Sequence, residues 1–337
     1  MRVCLTGGAG FVGSHVLLDL IAQQHDVLVL DNFSTTSPTS LVRARSLSNG
    51  NFEIATEDVC NLAGVTSLFQ EFRPDCVIHC AGLKAVGESQ DQPLRYYGEN
   101  VSGAINLLKA MDVSGCKMII FSSSATVYGE PHYLPYDEAH PVEPTNVYGR
   151  TKAFVENIIE DWVAVEPSRS AALLRYFNPV GAHSSGEIGE DPLGIPNNLM
   201  PYIADVAVGN RDKLAIFGDD YATPDGTGVR DYIHISDLSL GHLAAVDFLD
   251  SNHGVHIFNL GSGKGYSVLE VVQAFETASG KPVPYEIAPR RSGDIAMSYA
   301  DPGKANKSLG WETKLSLDDM CADVWRWRTK NPTGYRS

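Results

Sequence analysis

Hydrophobic residues in the first half of the chain fall in short, nearly unbroken apolar runs separated by longer stretches of helical period. Residues 3–6, 26–31, 52–55, 76–81, 118–122 and 171–177 read as strands, and 11–23, 61–72, 94–112 and 146–165 as helices. Strands that do not alternate, each followed by a helix, predict a parallel sheet covered on both faces. The expected fold class is α/β, a doubly wound parallel sheet of Rossmann type. After Phe177 the rhythm changes. Residues 178–198 and 221–228 are loop-like in Gly, Pro and Asp. Short strands at 214–217, 256–260 and 283–287 and helices at 199–208, 236–250, 267–278 and 316–328 predict a second, smaller α/β domain. The division expected is 1–177 and 178–337, with a soft boundary because a strand such as 256–260 can return to the first sheet.

Charge narrows the partners. The 337 residues carry 41 Asp plus Glu against 26 Lys plus Arg, a net −15. Such a surface repels phosphate backbones and anionic lipid, so neither nucleic acid nor membrane is an expected partner. No apolar run approaches the ~20 residues that span a bilayer. The N-terminus runs into glycines too soon for a signal-peptide core, so a cytoplasmic location is expected. Six cysteines (Cys4, Cys60, Cys76, Cys80, Cys116 and Cys321) form no compact disulfide framework. On one strand Cys76 and Cys80 would stand ~13 Å apart, too far to share a zinc, so no metal is expected.

The first strand runs into TGGAGFVG at 6–13 and then a helix. Gly7 permits a tight turn, Gly10 lets backbone approach a pyrophosphate, and Gly13 lets helix and sheet pack closely. The helix N-terminus adds free N–H groups and a positive dipole end. Asp31 closes the second strand; a carboxylate there accepts bonds from an unmodified ribose and repels a 2′-phosphate, which favours NAD over NADP. Asp58, after the third strand, is a candidate to hold the adenine.

Tyr148 and Lys152 stand at i and i+4 of a predicted helix, on one face about 6 Å apart along the axis. A cation favours phenolate, so Lys152 is expected to draw the tyrosine toward the working range of a general base. Alone, such a pair would more often be a surface feature. It is accompanied by Ser122, Ser123 and Ser124, which end the 118–122 strand where an open α/β sheet has its crevice. Ser124 is placed there to bond a substrate hydroxyl or relay its proton. No Gly-x-Ser-x-Gly elbow is present, which disfavours hydrolysis.

With the glycine turn, the serine-ended strand and Tyr-x-x-x-Lys together, the chain resembles the extended short-chain dehydrogenases/reductases. More closely, AGLKAVGES at 81–89, SSSATVYG at 122–129, LRYFNPVGA at 174–182, GIPNNLMP at 194–201, GTGVRDYIH at 226–234 and APRRSGD at 288–294 resemble the UDP-glucose 4-epimerase family. The resemblance covers nearly the whole chain. It implies an NAD-dependent isomerase that interconverts UDP-glucose and UDP-galactose through a 4-keto sugar, serving galactose metabolism and glycan synthesis. The smaller domain would bind the UDP-sugar, and the protein would be a homodimer through a helix pair, 94–112 with 146–165.

By the same resemblance Tyr148, Lys152 and Ser124 are catalytic. Phe11, Val12, Asp31, Asn32, Phe33, Ser34, Thr35, Thr36, Asp58, Val59, Cys80, Ala81, Gly82, Lys84, Ser122, Tyr176 and Phe177 would join Gly7, Gly10, Gly13, Tyr148 and Lys152 around NAD. Asn178, Asn198, Leu199, Ala215, Ile216, Phe217, Arg230, Tyr232, Arg291, Asp294 and Ser298 would join Ser124 and Tyr148 around the sugar nucleotide, the two arginines on the diphosphate. Glu99 stands where relatives carry an amide, and Asn100 is expected to serve in its place. Ser298 stands where members restricted to plain hexoses carry tyrosine, which leaves room for the 2-acetamido group of UDP-GlcNAc or UDP-GalNAc. Three alternatives stay open: a sugar-nucleotide dehydratase, although Ala125-Thr126 after Ser124 is not the acid pair elimination needs; a dehydrogenase that releases NADH; and a non-catalytic dinucleotide sensor.

Overall fold

In the computed structural model, which describes residues 1–48, 50–192, 196, 198–291 and 293–336, the apolar runs of the first half become six strands. They are β1 (Arg2–Thr6), β2 (Asp26–Asp31), β3 (Glu53–Thr56), β4 (Cys76–His79), β5 (Met118–Ser122) and β6 (Ser170–Tyr176). The second half adds β7 (Asn178–Val180), β8 (Leu214–Phe217), β9 (Val229–His234), β10 (Gly254–Leu260), β11 (Gly265–Ser267), β12 (Tyr285–Ala288) and β13 (Met297–Ser298). The helices are α1 (Phe11–Ala22), α2 (Thr39–Ser48), α3 (Leu62–Phe72), α4 (Val86–Asp91), α5 (Pro93–Tyr96), α6 (Gly103–Ser114) and α7 (Val147–Ala164). They continue with α8 (Leu199–Ala207), α9 (Ile235–Leu249), α10 (Val268–Ser279), α11 (Gly303–Leu309) and α12 (Leu317–Lys330). Gly194, Ile195, Asn197 and Ser292, which belong to the family-like stretches, lie outside the described residues.

One seven-stranded sheet runs β10-β6-β5-β4-β1-β2-β3, all parallel. Strand side chains alternate between faces, and both faces are covered. Val3, Leu5, Val27 and Val29 pack with Val16 and Leu17 of α1 and Leu238 of α9. Cys4, Leu28 and Leu30 go to the other side, with Phe69 of α3, Leu107 of α6 and Ile159 of α7. That double coverage is why the strands read as continuous apolar runs. The strand order reverses at β1, between β2 and β4, which opens a crevice at the carboxyl ends.

The second half divides between two places. β10 is the seventh strand, in register with β6 from Gly254↔Ser170 to Leu260↔Tyr176, and α9 packs on α1. The remainder builds a smaller unit in which β9 pairs with β7, β11 and β13, and β8 with β12. Its core joins Met200, Ile203, Ile216, Tyr232, Phe275, Met320 and Val324.

Several expectations change in detail. The 76–81 strand stops at His79, after which Cys80 still bonds the Thr6 carbonyl and Ala81 packs against Gly7. The predicted helix 94–112 is interrupted by a π-helical turn over Tyr97–Ser102. Helices α2, α4 and α11 and strands β7, β9, β11 and β13 were not expected. β9 hides from a periodicity reading because Arg230-Asp231 interrupts its apolar residues, while in the fold Asp231 is buried and bonded. No helix is long and apolar enough to cross a membrane among the described residues.

Candidate functional site

At the end of β1, Gly7 adopts φ +69°, and a Cβ on it would lie 2.7 Å from the Ala81 nitrogen. A Cβ on Gly13 would lie 2.2 Å from the Gly7 carbonyl oxygen. These two glycines are therefore required by packing of the turn itself. A Cβ on Gly10 would meet only that same oxygen at 3.2 Å and the Thr36 methyl at 3.7 Å. No side chain caps α1 and no acid sits in its first turn, so the N–H groups at Phe11 and Val12 present a positive end with no intrahelical acceptor. Asp31 is buried beside them and accepts from the Ala9 and Phe33 N–H groups (3.0 and 2.9 Å) and the Thr36 hydroxyl (2.9 Å). Phe33 has φ +55°, an uncommon conformation for a bulky residue. Asn32, Ser34 and Thr35 form the exposed rim. Donor N–H groups, a cleared turn and a carboxylate at the second strand fit a dinucleotide with an unmodified ribose.

The end of β3 gathers acids. Asn32 donates to Asp58 (2.8 Å) and so does the Cys60 N–H (2.7 Å). Burial would raise the Asp58 carboxyl, but these bonds outweigh it and hold it below its usual value. Cys60 and Glu99 also converge here, their ligating atoms lying with those of Asp58 within 4.8 Å of one another. Burial, with these charges, pushes the Cys60 thiol up to about 12. Val59 packs in the core under Gly103. Asn100 departs from its expected part. Its amide spans the Leu83 N–H and carbonyl (2.8 and 3.0 Å) and the Thr151 hydroxyl (3.0 Å). Its side chain thus pins the Gly82–Lys84 loop to α7, leaving no amide hydrogen for a ligand. Lys84 reaches across to Glu190 (2.9 Å), whose same oxygen accepts from Asn198 (2.8 Å).

Tyr148 and Lys152 lie in the first turns of α7, whose start is over-determined. The Asn146 side chain caps the Gly149 N–H (2.8 Å), and Ser89 takes the Tyr148 N–H (3.1 Å). Both side chains are buried. The Lys152 ammonium donates to the Ser122 carbonyl (2.7 Å), sits 4.7 Å from the Phe121 ring centroid and 5.8 Å from that of Tyr148. Burial pushes Lys152 down to about 8, against the pull of Cys80 and Glu156. Burial pushes the Tyr148 phenol up to about 12, against the smaller pull of the nearby Ser124 hydroxyl. The expected lowering of the phenol by Lys152 is thus overridden, in the chain alone, by desolvation. Ser122 contributes its carbonyl only. His242 gives its Nδ1 proton to the Leu238 carbonyl (2.9 Å), so its Nε2 accepts from the Ser122 hydroxyl (3.0 Å), which also lies 3.1 Å from Cys80 Sγ. Tyr176 is close by, raised well above its usual value by burial. Phe177 packs with Val127, Tyr128 and Tyr136.

Beneath this lies a network that the sequence did not disclose. Glu156, one turn after Lys152, takes the Arg175 guanidinium in a fork (3.0 and 2.6 Å) and the Ser123 hydroxyl (2.5 Å). Arg175 faces the Tyr128 ring at 4.9 Å, and Tyr128 donates to Asn259 (2.6 Å). The i, i+4 spacing of Lys152 and Glu156 was the available signal.

On the opposite wall, β8 alternates. Leu214 and Ile216 are buried while Ala215 and Phe217 are exposed. Ile216 and Tyr232 therefore belong to the core of the smaller unit, and only backbone at Ile216 can meet a ligand. Arg291 lies 4.7 Å from the Phe217 ring centroid and pairs with Asp294 at 2.9 Å. Arg230 is half-buried and held by the Val229 carbonyl (2.8 Å). In register beside it on β13 is Ser298. Asn178 donates to the Asp231 carbonyl (2.8 Å), and Leu199 opens α8 at the edge of the same core. Asp231, missed in the sequence, accepts from Ser262, Gly263 and Ala300 and ties β9 to its neighbours.

Lys152 generates a prediction with a defined sign. Its folded value, about 8, lies below the 10.5 of the free side chain. Below pH 8 both folded and unfolded chains are protonated, and the burial penalty is fully present. Between 8 and 10.5 the unfolded chain binds more protons, so stability rises with pH. Lys152→Met is expected to be more stable than the parent at pH 7 by roughly 3 kcal/mol, the difference shrinking toward pH 10.5. Denaturant melts across that range measure it; a variant less stable at pH 7 would contradict the reading.

A family model described as GDP-mannose 4,6 dehydratase matches residues 4–324. The UDP-glucose 4-epimerase of Mus musculus is 52% identical over 341 residues, covering 99% of this chain and 98% of its own length. That of Bacillus subtilis is 51% identical over 337 residues, covering 100% and 99%. The crystal structure of UDP-glucose 4-epimerase from Bifidobacterium longum in complex with NAD+ and UDP superposes with a TM-score of 0.96 at 51% identity, over 99% of this chain and 100% of that one. Although the family model is named for a dehydratase, these relatives are epimerases. With Ala125-Thr126 after Ser124, the chain belongs to the UDP-glucose 4-epimerase family of extended short-chain dehydrogenases/reductases.

Proposed function

We infer that this chain interconverts UDP-glucose and UDP-galactose by inverting the sugar at C4, with NAD as its cofactor. One observation carries the reading: a buried Tyr148, Lys152 and Ser124 meet beside the glycine turn in a chain about half identical, end to end, to UDP-glucose 4-epimerases. NAD, when bound, takes up a hydride from C4 and returns it, and its charged ring favours the phenolate. Tyr148 takes the O4 proton and gives it back. Lys152, fixed by the Ser122 carbonyl, keeps positive charge beside the phenolate without competing for the proton. Ser124 bonds the O4 region. Asp31 holds the adenosine ribose, the first turn of α1 the pyrophosphate, and Lys84 the dinucleotide at the end of β4.

Arg230 and Arg291 hold the diphosphate of the sugar nucleotide, where a guanidinium fork suits phosphate oxygens. Holding that end firmly lets the 4-ketose turn over and present its other face. In domain terms, 1–177 carries the cofactor and 178–337 the UDP-sugar, with 235–260 and 303–309 structurally part of the first. Ser298, small and partly exposed beside Arg230, leaves room for a 2-acetamido group, so the substrate range extends to UDP-GlcNAc and UDP-GalNAc. The protein is a homodimer. Leu94 is 85% and Phe154 47% exposed, and Phe154 stacks on Tyr97 at 5.8 Å. These residues form an apolar patch across α5, the π-helical turn and α7 that a second copy would cover.

Tyr148→Phe is expected to lower kcat by about 10²–10⁴-fold while NAD stays bound; near-full activity would remove Tyr148 from its role. Hydrogen label at the inverted carbon should remain with the sugar, and its exchange into water would contradict hydride return. Ser298→Tyr should abolish turnover of the acetamido sugar nucleotides and spare the plain hexoses; if the parent turns over neither acetamido sugar, the wider range is wrong. Leu94→Asp with Phe154→Asp should sediment as a monomer, and an unchanged dimer would place the interface elsewhere.

A further inference from the structure

Lys152 is held by a backbone carbonyl at the last residue of β5, where the ladder that would steady that carbonyl runs out. β4 stops at His79, opposite Phe121, so Ser122 has no strand partner on that side. One residue on, the Ser123 N–H has already turned back onto the Phe121 carbonyl (2.9 Å). Side-chain bonds stand in for the missing pairing. Ser122 is fully buried, and its hydroxyl meets two groups among the described residues, Cys80 Sγ at 3.1 Å and His242 Nε2 at 3.0 Å. A carbonyl can only accept, so the His242 Nδ1 that faces the Leu238 carbonyl (2.9 Å) carries the ring proton. Burial keeps that ring neutral, pushed down to about 4. Nε2 is then a bare acceptor, the Ser122 hydroxyl donates to it, and the Cys80 thiol donates in turn to the Ser122 oxygen. The bonds run one way, from Cys80 through Ser122 into α9.

That helix is a fixed point. A Cβ on Gly241 would lie 2.9 Å from the Leu260 side chain and 3.3 Å from the Trp311 ring, so α9 seats directly against the end of β10. The Trp311 indole donates to the Asp237 carbonyl (2.8 Å), the Asp237 carboxylate takes the Lys314 and Leu315 N–H groups (3.0 and 2.9 Å), and Ser239 bonds Asp19 of α1. We propose that His242 is a positioning residue for Lys152: anchored on α9, it holds Ser122 by its hydroxyl so that the Ser122 carbonyl meets the Lys152 ammonium at 2.7 Å. The ammonium is thereby kept 5.8 Å from the Tyr148 ring centroid. The inference rests on the reading of Tyr148 and Lys152 as the reacting pair and adds the residue that sets their spacing.

The titratable and charged groups around the lysine and the phenol are Glu156 on α7 with its partner Arg175, His79 and Cys80 at the end of β4, Tyr176 at the end of β6 and Tyr96 on α5. Among the described residues His242 hydrogen-bonds none of them. Its ring lies 6.1 Å from that of Tyr176, a second route that a Ser122→Ala background leaves open while it closes the first. His242→Leu removes the acceptor and leaves the buried Ser122 proton unpartnered. His242→Gln keeps an acceptor oxygen at the reach of Nε2. Ser122→Ala cuts the same link from its other end. Each variant, loaded with NAD, is assayed with UDP-galactose, and its phenolate band is titrated by ultraviolet difference spectroscopy with Tyr148→Phe subtracted to isolate that phenol.

His242→Leu and Ser122→Ala should each lower kcat about tenfold with KM little changed, and raise the Tyr148 midpoint by about half to one pH unit, as a neighbouring cation loses its place. His242→Gln should restore most of both. In the Ser122→Ala background, His242→Leu should add less than about a twofold further loss, as coupled residues do. A parent-like kcat and midpoint in His242→Leu, a glutamine variant as impaired as the leucine one, or an undiminished loss in the Ser122→Ala background would each overturn the proposal. If His242→Leu does not fold, Ser122→Ala decides alone, and a parent-like kcat and midpoint there overturn it equally. Retained activity in Tyr148→Phe would instead overturn the reading beneath it.

Discussion

An ammonium taken out of water at the end of a parallel sheet is the costly feature around which this site is built. Among the described residues Lys152 has one acceptor, the Ser122 carbonyl, and desolvation outweighs the carboxylate one turn away. Side chains under such pressure relax toward solvent unless their backbone is held. Here it is held from several directions. Asn146 caps α7, Ser89 takes the Tyr148 N–H, and Gly149 lets the helix seat against the Thr126 carbonyl. The same seating presents Tyr148 to Ser124, so helix placement and chemistry have one cause.

The buried Glu156–Arg175 pair extends that constraint downward. Ion pairs this deep seldom add net stability, because both charges lose water. This one is satisfied by a forked contact, the Ser123 hydroxyl and the Tyr128 ring, and its reach is architectural. Through Tyr128 it continues to Asn259 on β10, whose amide donates to the Tyr136 carbonyl (2.8 Å) and whose N–H donates to Glu138 (2.7 Å). Tyr136 in turn is bonded to the Tyr299 carbonyl, directly after Ser298. A strand from the second half of the chain thus ties the loop after Ser124 to the segment that carries Ser298.

What could be read in advance follows from what periodicity and local geometry encode. The strands buried on both faces announced themselves as unbroken apolar runs, and the glycine turn and Tyr148/Lys152 pair are local in sequence. β9 escaped because its central Arg230-Asp231 looks polar, and only in three dimensions does Asp231 find its four donor groups from the chain near 262 and 300. Asn100 is hard to read in sequence for a related reason. An amide near a cofactor loop suits a ligand or a pin equally, and Leu83 and Thr151 decide for the pin. Ile216 and Tyr232 lay in family-like positions, yet strand alternation and core packing turn both side chains inward.

The two ends of the substrate crevice differ in what they can offer, and epimerisation depends on that difference. At the far wall Arg291 and Arg230 gather positive charge beside the exposed Phe217 face in a chain whose net charge is −15. In the proposed function these cations are what hold the anionic handle of the substrate. Near the chemistry, polar groups are mostly spent on the protein. The Asn178 and Asn198 amides donate to Asp231 and Glu190, the Ser122 hydroxyl to His242, and the Ser124 oxygen is filled by Thr126. The proposed function leaves a hexose one phenol, one serine hydroxyl and a small serine at β13. Weak directional contact at the sugar, set against strong charge at the diphosphate, lets a ring pivot without leaving.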